Sequence, residues 1–279
     1  MNKHYVCGIT IFRPDITVVD RIHIYVSCFE KVYIFDNTEE EFINNQIINS
    51  IKSLSNVFYY GDGHNHGLPY AFNYIISLIP IDVNFICTLD QDSDFPAEEI
   101  KSIVCKINSI TDDNKYGIIA PHIQYDLKSF VKTDRILNVR YVITSGSFVS
   151  LDVLRKHKIV YDEAYFIDKF EIDLGEQIKQ KGLLIGQYQG AVLYQRLGEL
   201  DSKGRINHSA LRHYYLFRNR FYFNNKFYHS PLKQILSFFQ TIKHICKILF
   251  HEIDKHNKLS MLPIAYSDYR NRNFGQKCF

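Results

Sequence analysis

The sequence predicts an α/β domain with a mixed, mostly parallel sheet flanked by helices, followed by a helical C-terminal extension. From residue 5 to residue 120, apolar segments of strand character alternate with segments of helical periodicity. From Ser209 the chain is helical in pattern and contains no glycine or proline until Pro231. These observations divide the chain into an α/β domain at residues 1–207 and a helical region at residues 208–279.

The alternation gives the element order βαβαβαβαβ. The strands are short and apolar, and the helices have apolar residues three and four positions apart. In chain order the elements are a strand at Tyr5–Phe12, a helix at Ile16–Cys28, a strand at Lys31–Phe35, a helix at Glu39–Ser53, a strand at Asn56–Tyr60, a helix at Leu68–Leu78, a strand from Phe85, a helix opened by Pro96 and a strand at Tyr116–Ala120. Ligands of such open sheets bind beyond the carboxyl ends of the strands. We therefore expect Arg13, Asp36, the 61–67 loop and Asp90–Asp92 to surround one crevice.

Composition and charge exclude several protein classes. The chain has 279 residues, of which 46% are hydrophobic and 23% charged, as in an ordered globular protein. With a net charge of +3 and no basic or aromatic-basic module, we expect no nucleic-acid partner. Six cysteines without a Cys-x-x-Cys pair indicate a reducing, cytoplasmic compartment. We expect no signal sequence, because the first apolar run stops at Arg13-Pro14-Asp15, and no transmembrane helix.

Three aspartates follow the fourth predicted strand at alternate positions. Residues two apart in a strand point to the same side, so Asp90 and Asp92, with Asp94 as a further candidate, converge at its carboxyl end. Hard cations such as Mg²⁺ and Mn²⁺ prefer carboxylate oxygens and share their remaining positions with substrate phosphates. An EF-hand calcium loop is excluded, because Phe95 and Lys101 replace its glycine and glutamate. The remaining alternative is a solvated acidic turn.

Short motifs on both sides of these aspartates occur in a particular order. They are Thr10-Ile11-Phe12-Arg13-Pro14, Asp36-Asn37-Thr38, Asn65-His66-Gly67 leading to Ala71-Phe72-Asn73, Leu89-Asp90-Gln91-Asp92-Ser93, Thr144-Ser145-Gly146, Phe166-Ile167-Asp168, and His208-Ser209-Ala210-Leu211-Arg212-His213-Tyr214-Tyr215 followed by Arg218-Asn219. With these motifs the chain resembles an inverting family 2 glycosyltransferase of the GT-A fold, and within it the bacterial rhamnosyltransferase-like subgroup. The resemblance covers residues 5 to 220.

The resemblance implies a Rossmann-like nucleotide-sugar-binding fold and gives roles to residues of these motifs. The implied nucleotide-sugar-binding residues are Thr10, Phe12, Arg13, Asp36, Asn65, Gly67, Asn73, Asp90, Arg212 and Arg218. The implied acceptor-side residues are Thr144, Ser145 and Gly146. Three alternatives stay open. One is that Asp36 only caps the following helix, another is that the glycines of the 61–67 loop only make a turn, and the third is that Arg212 and Arg218 pair with surface acids.

The implied metal site binds Mg²⁺ or Mn²⁺ through Asp92 and Asp90. The family often supplies a histidine in a setting like Leu193-Tyr194-x-Arg196-Leu197-Gly198, where this chain has Gln195. Glutamine is a poor metal ligand beside imidazole. We assign His208 as the replacement, while Gln195 acting through water, or the aspartates alone, are the alternatives.

The catalytic base is assigned to the acidic segment Phe166–Asp173. The subgroup shows Phe-Ile-Asp-x-x-Asp-x-Glu with an arginine four residues later, whereas this chain has Glu171, Asp173 and Gln177 at the last three places. We favour Glu171 as the base by position, with Asp168 and Asp173 as alternatives. The other interpretation is a solvated acidic face at the start of a helix.

Together these assignments predict a glycosyltransferase that acts with inversion, by metal-assisted direct displacement. The donor is a nucleoside-diphosphate sugar, with dTDP-rhamnose, a UDP-hexose and UDP-galactofuranose as candidates. The acceptor is a saccharide or lipid-linked acceptor in bacterial surface polysaccharide synthesis, such as that of capsule or lipopolysaccharide. One alternative is a degenerate transferase that binds nucleotide sugar or a partner without turnover. Another is a sugar nucleotidyltransferase, although residues 11–16 lack the glycine-rich loop that such an enzyme carries.

A basic amphipathic helix is predicted between Leu232 and Ile253. Its apolar residues form one stripe, at positions 232, 235, 236, 239, 242, 246, 249, 250 and 253. The basic residues Lys233, Lys243, Lys247 and His251 lie largely off that stripe. Such a helix either makes peripheral contact with an anionic membrane, at the inner face of the cell membrane, or packs on its own domain.

Overall fold

The computed structural model describes residues 3–111, 115–125, 130–195 and 207–277, so Arg196, Leu197 and Gly198 of the predicted motif lie outside the described residues. The strands are β1 (Tyr5–Ile11), β2 (Val32–Asp36), β3 (Val57–Tyr60), β4 (Phe85–Asp90), β5 (Tyr116–Gln124), β6 (Ile136–Asn138), β7 (Ser147–Ser150) and β8 (Leu184–Tyr194). The helices are α1 (Thr17–Cys28), α2 (Asn45–Lys52), α3 (Leu68–Leu78), α4 (Ala97–Ser109), α5 (Leu151–His157), α6 (Phe170–Gln180), α7 (Ala210–Phe227), α8 (Leu232–His251) and α9 (Lys255–Asn271).

Within the described ranges, eight strands form one sheet in the order β3-β2-β1-β4-β7-β5-β8-β6. The strands β3, β2, β1 and β4 are mutually parallel, and β5 and β8 form a second parallel pair. Strand β7 runs antiparallel between β4 and β5, and β6 runs antiparallel along β8. The predicted mixed, mostly parallel sheet is confirmed.

The central strands are apolar because helices cover both faces of the sheet. Every residue of β1 is buried, and successive side chains point to opposite faces. On one face, Ile9 belongs to a core cluster with Ile22 of α1 and Ile103 of α4. On the other face, Val6 belongs to a cluster with Ile75 of α3. With both faces buried, polar groups of these strands reach a ligand only at the strand ends.

The second helix is shorter than predicted. It begins at Asn45 and not at Glu39, because the Asn44 side chain caps it by accepting two backbone N–H groups of its first turn. Residues 40–42 form a separate short 3₁₀ turn. The loop after β2 is therefore longer than the helical pattern indicated.

The predicted helical extension is confirmed as α7, α8 and α9. Helix α7 begins where the Ser209 hydroxyl accepts the N–H of Arg212 at 3.2 Å. An apolar cluster joins Phe166 of the α/β domain to Tyr214 and Tyr215 of α7, so the helical region packs directly on the domain. No helix among the described residues is long and apolar enough to cross a membrane.

Candidate active site

The carboxyl ends of the parallel strands lie side by side at one edge of the sheet. The register places Ile11 of β1 beside Asp36 of β2, and the buried Thr10 beside Asp90 of β4. Strand β7 runs antiparallel to β4, so the loop that enters it, residues 144–146, reaches the same edge. Residues far apart in the chain therefore meet where a ligand of an open sheet binds.

Asp90 is held by two serines. Its Oδ2 accepts a hydrogen bond from Ser145 Oγ at 2.5 Å, and Ser93 Oγ donates to Ser145 Oγ at 3.0 Å. The Asp90 N–H donates to Ser93 Oγ at 3.1 Å, which closes the network. Burial raises the pKa of Asp90 to about 6, the Ser145 hydrogen bond opposes the rise, and the charge of Asp92 adds to it. A cation bound at Asp90 would offset the cost of burying this charge.

The loop before β7 holds Asp90 in place. We predicted that its hydroxyl groups contact the acceptor, but Ser145 is fully buried and its hydroxyl donates to Asp90, so the assignment of Ser145 is corrected. Gly146 has a φ of 76°, and a Cβ there would lie 2.6 Å from Leu193 Cδ1. The Thr144 hydroxyl is buried and lacks a hydrogen-bond partner among the described residues, so it is the group of this loop that a ligand could still bind.

The turn after β4 contacts two other segments. Gln91 Oε1 accepts a hydrogen bond from the Phe12 N–H at 2.8 Å, which ties the turn to the loop after β1. Asp94 and Tyr194 form an antiparallel bridge, so Gln195 follows directly beside the turn. Gln195 Oε1 is buried and has no hydrogen-bond partner within the described ranges. This oxygen is a candidate ligand that stands where the family often has histidine.

The predicted metal ligands are only partly brought together. Asp90 is the last residue of β4, whereas Asp92 is exposed in the turn that follows. Across the described residues, no group of three histidine, cysteine, aspartate or glutamate side chains is placed to hold a metal ion. His208 lies before α7 with its ring 6.0 Å from that of His213, and burial lowers its pKa to about 4. The described residues do not bring His208 together with Asp90 and Asp92, and its assignment as a third ligand stays a prediction.

A cleft of about 510 Å³ collects five of the predicted nucleotide-sugar-binding residues, namely Phe12, Arg13, Asn65, Gly67 and Arg212. Its other lining residues are Asn37, Glu39, Leu68, Phe166, Ile167, Ser209, Leu211, Tyr215, Gln276 and Lys277. The loops after β1, β2 and β3 thus face the start of α7 and the segment after α9. The sequence carried no signal for the segment after α9, because it matches no motif and reaches the cleft only through tertiary packing.

Arg13 is oriented toward the cleft by its neighbours. Its Nε lies 3.0 Å from Glu39 Oε2, and its guanidinium carbon lies 3.5 Å from the ring centroid of Phe42. The backbone N–H of Arg13 donates to Thr38 Oγ1 at 2.7 Å. The φ of Arg13 is 46°, in the left-handed region that non-glycine residues rarely adopt. The surrounding contacts therefore hold a guanidinium group in a defined position at the cleft.

Asp36 is a buried acceptor at the end of β2. Its Oδ1 accepts the Thr38 N–H at 2.8 Å, and its Oδ2 accepts the Tyr59 hydroxyl at 2.5 Å. The alternative that Asp36 caps the next helix is wrong, because Asn44 has that role. A small cavity of about 180 Å³ is lined by Asp36, Thr38 and Tyr59, among others. Asp36 therefore lines this small cavity beside β2, and its carboxylate oxygens keep lone pairs for a ligand.

Gly67 lets the loop after β3 touch the acidic segment. Its φ is 83°, and a Cβ there would lie 2.4 Å from the Phe166 carbonyl oxygen. Leu68 N–H donates to the same oxygen at 2.8 Å, and Asn65 Oδ1 accepts the Gly67 N–H at 3.0 Å. Only glycine satisfies both the backbone angle and the contact. The interpretation that this glycine merely makes a turn is therefore incomplete.

The acidic segment before α6 has a strained backbone. Phe166, Asp168 and Lys169 have left-handed φ values of 63°, 58° and 73°. Each such residue costs about 1–3 kcal/mol unless its surroundings impose the conformation. The Asn219 side chain does so, donating to the carbonyls of Ile167 at 2.6 Å and Asp168 at 3.1 Å. Strain maintained in this way is typical of functional sites.

Arg218 and Asn73 have structural roles in place of the predicted nucleotide contacts. Arg218 is only 1% exposed, and its Nη2 donates to the carbonyls of Ala164 and Tyr165 at 3.1 and 3.0 Å. Asn73 accepts the N–H of Tyr161 at 3.0 Å and donates to its carbonyl at 2.9 Å. Because these groups are already bound to backbone, both assignments are corrected: the two side chains hold the segment that precedes the acids.

Glu171 is a base candidate with an available oxygen. Its Oε2 is buried and has no hydrogen-bond partner among the residues that the structure describes. Burial, together with repulsion from Asp168 and Asp90, raises the pKa of Glu171 to about 7. Asp168 also keeps one buried oxygen, Oδ2, without a partner among the described residues, but its Oδ1 lies 3.1 Å from Arg212 Nη2. A carboxyl group that titrates near neutral pH suits general-base chemistry.

Asp173, the third candidate, is fully engaged in the fold. It is buried, its Oδ2 accepts the Tyr165 hydroxyl at 2.9 Å, and the same oxygen lies 2.7 Å from Lys226 Nζ. Its Oδ1 accepts Gln177 Nε2 at 2.6 Å. The subgroup has an arginine at position 177. Here Lys226 of α7 supplies the positive charge, which the sequence did not reveal because Lys226 belongs to a distant helix.

The sequence matches no known family model and no curated protein. Solved structures are nevertheless similar. S. aureus TarS 1–349 in complex with UDP-GlcNAc superposes with a TM-score of 0.60 and 12% identity, over 95% of this chain and 80% of that chain. GalNAc-T7 with UDP, GalNAc and Mn²⁺ superposes with a TM-score of 0.56 and 11% identity, over 69% of this chain and 43% of that chain. These similarities confirm the GT-A fold predicted from the sequence.

Proposed function

We propose that the protein is a glycosyltransferase that moves a sugar from a nucleoside-diphosphate sugar to an acceptor hydroxyl with inversion. The observation that carries this proposal is the unpartnered, buried Oε2 of Glu171, close enough to Asp90 and Asp168 for their charges to raise its pKa. A buried acceptor without a partner costs stability, so its presence indicates a use in binding or chemistry. The similar GT-A structures support the same enzyme class.

The cleft supports a nucleotide sugar as the donor. Arg13 and Arg212 bring guanidinium groups, whose fork geometry matches diphosphate oxygens, and Phe12 offers an aromatic face to a base. We rank UDP sugars first, because one similar structure holds UDP-GlcNAc and another UDP. The motif pattern of the rhamnosyltransferase-like subgroup makes dTDP-rhamnose the second candidate.

Asp90 and Asp92 fit a divalent cation, Mg²⁺ or Mn²⁺. Two carboxylates leave the remaining coordination positions to water and diphosphate oxygens, which is the arrangement that Mg²⁺ favours. The unpartnered Gln195 Oε1 beside the same turn adds a neutral oxygen, directly or through water. When bound, the cation would supply positive charge that neutralises the departing diphosphate.

Glu171 is the residue that we assign as the base. Its Oε2 would take the proton of the acceptor hydroxyl while the acceptor oxygen bonds to the anomeric carbon and the bond from that carbon to the diphosphate breaks. Asp168 and Arg212, paired at 3.1 Å, connect the base segment to the cleft. As predicted from the sequence, we propose a saccharide or lipid-linked acceptor in surface polysaccharide synthesis.

Release of nucleoside diphosphate from a set of UDP, dTDP and GDP sugars, with Mg²⁺ or Mn²⁺ and saccharide acceptors, tests this function. We expect release from one donor class, and a loss of about 100-fold or more in Asp92→Ala. The matched control is Asp94→Asn, since Asp94 is exposed on the same turn and bonds Tyr194 through its backbone.

Thermal-shift measurements with UDP, dTDP and GDP separate binding from turnover. Stabilisation by one diphosphate together with release from its sugar supports the transferase. Stabilisation without release from any donor favours a degenerate transferase. If no diphosphate stabilises the protein in the presence of either metal, the nucleotide-sugar function is wrong.

A further inference from the structure

Helix α8 exposes a continuous apolar stripe. Phe250 is 73% exposed, Phe239 64% and Phe238 61%. The other exposed apolar residues of this stripe are Leu232, Ile235, Ile242 and Leu249, with Ile253 just after the helix. At about 100° per residue, these helical positions occupy an arc of roughly 120°. We call this set the outer stripe. The sequence left open whether the stripe packs on the protein, and the structure leaves it facing outward.

The inner face of α8 is polar where it meets α7. Asn224 donates to Ser237 Oγ at 2.9 Å and to Gln240 Oε1 at 3.0 Å. Arg220 donates to the Gln240 carbonyl at 3.1 Å. A helix that packs on a water-soluble domain normally turns its apolar face inward. In α8 only Ile248 of the inner face is a fully buried apolar residue, and the larger apolar side chains face outward.

A buried chain of hydrogen bonds fixes this orientation. Arg220 has only donors, so His244 Nδ1 accepts from it at 2.6 Å, and His244 Nε2 donates to His213 Nδ1 at 2.8 Å. His213 Nε2 then donates to Glu252 Oε2 at 2.7 Å, and Lys258 Nζ lies 2.8 Å from the same oxygen. Rotating α8 to bury the outer stripe would break this chain and leave its buried polar groups unpaired. The outward stripe is therefore imposed by the fold.

The charges beside the outer stripe identify what could cover it. Helix α8 contains three lysines and no acidic residue. Exposed Lys243 lies about 20° around the helix from Phe250, at one border of the stripe, and Lys247 lies about 60° from Phe250. Lys247 Nζ lies 3.5 Å from Glu252 Oε1, so Lys243 is the lysine at the border. An apolar stripe with a lysine at its border matches the acyl boundary and the negative headgroups of an anionic bilayer.

We infer that α8 binds the surface of an anionic lipid bilayer, with the outer stripe at the headgroup boundary and Lys243 against the headgroups. This binding does not depend on the donor chemistry. The end of α8 lies near the cleft of the proposed function. His213 bonds Glu252, which directly follows α8, and the adjacent residue Arg212 lines the cleft. The Phe250 end of the stripe and the rim of the cleft therefore belong to the same end of the helical region.

Co-sedimentation of the full chain with vesicles tests this inference. We expect binding to vesicles that contain phosphatidylglycerol, and an affinity about 100-fold lower for Phe239→Ser with Phe250→Ser. The matched control is Ile81→Ser with Val131→Ser, because both residues are 79% exposed and lie outside α8. Lys243→Gln should weaken binding to these vesicles by about 5-fold without changing the weak binding to pure phosphatidylcholine.

Three results would overturn the inference. The first is the absence of binding to anionic vesicles, and the second is equal binding by the α8 variant and the control variant. The third is a concentration-dependent dimer, lost in the α8 variant, without vesicle binding, which would make a second copy the occupant of the stripe. Stabilisation by nucleoside diphosphate, measured on the same variants, reports separately on the proposed function and should be unchanged.

Discussion

Lys226 of α7 lies 2.7 Å from the buried carboxylate of Asp173 in α6, and 2.6 Å from Asp162. The positive charge that balances Asp173 therefore comes from the C-terminal helical region and not from α6 itself. Burial raises the pKa of Asp173, and its ion pair with Lys226 opposes the rise. Because Asp173 follows Glu171 by two residues, the helical region directly stabilises the segment that carries the proposed base.

Lys226→Gln should destabilise the protein by about 3 kcal/mol, because it leaves a buried carboxylate without its cation. Adding Gln177→Arg should recover part of this loss, since position 177 already bonds Asp173 at 2.6 Å. Urea denaturation measures both changes. Lys233→Gln is the control, since the only hydrogen bond of the Lys233 side chain within the described residues is to Asn225. Equal stability of the Lys226 and Lys233 variants would contradict this role.

Glu171→Gln should reduce transfer by about 100-fold or more while leaving donor binding intact. The wild-type rate should rise with pH through about 7, because burial and the charges of Asp168 and Asp90 raise the pKa of Glu171, while Lys169 opposes them. The pH profile of transfer checks this expectation. An unchanged profile in Glu171→Gln would show that another group is the base.

The same substitution should change stability in a pH-dependent way. The pKa of Glu171 is raised in the folded state, so between pH 4.5 and about 7 the folded state binds more protons than the unfolded state. The contribution of Glu171 to stability therefore falls as pH rises through this window. The difference in stability between Glu171→Gln and wild type, measured by thermal denaturation, should therefore favour the variant more at pH 8 than at pH 5. The opposite order would contradict the raised pKa.

Asn219→Ala should destabilise the protein by about 2–3 kcal/mol, because three carbonyls lose their hydrogen bonds and the strained acidic segment is freed. We also expect slower transfer, because the variant displaces the segment that carries the proposed base. Denaturation and steady-state kinetics measure the two effects. Asn225→Ala, at an exposed position of the same helix, should be close to wild type.

Gly67→Ala should cost about 3 kcal/mol or more, because it combines a left-handed φ with a Cβ placed 2.4 Å from the Phe166 carbonyl oxygen. Gly182→Ala is a matched control: its φ is 75°, but a Cβ there would have no neighbour within 4 Å. The control should therefore show only the backbone cost of about 1–2 kcal/mol. Similar losses in both variants would show that the contact with Phe166 is unimportant.

Local pattern determined much of the fold. The alternation of apolar strands with periodic helices predicted the first five strands and the helices between them, because period and burial are local properties of the sequence. It also placed Asp90 at the carboxyl end of a strand, but β4 ends at Asp90 and Asp92 lies in the turn that follows, so the alternation of side chains in a strand does not extend to Asp92. The start of α2 was missed because the capping Asn44 overrode the helical pattern around it.

The partners of the site residues were decided by tertiary structure alone. Ser145 donates to Asp90 and Lys226 neutralises Asp173, yet each pair joins segments far apart in the chain. Arg218 matched a motif but is buried, because side-chain burial depends on what packs above it.

The stripe of α8 shows the same division. Its apolar periodicity is written in the sequence, since positions three and four apart share a helix face. Its outward orientation is set by the buried bonds of His244 and His213, which form only after α7 and α8 have packed. Periodicity specifies which residues share a face, and packing decides whether that face meets the protein or the surroundings.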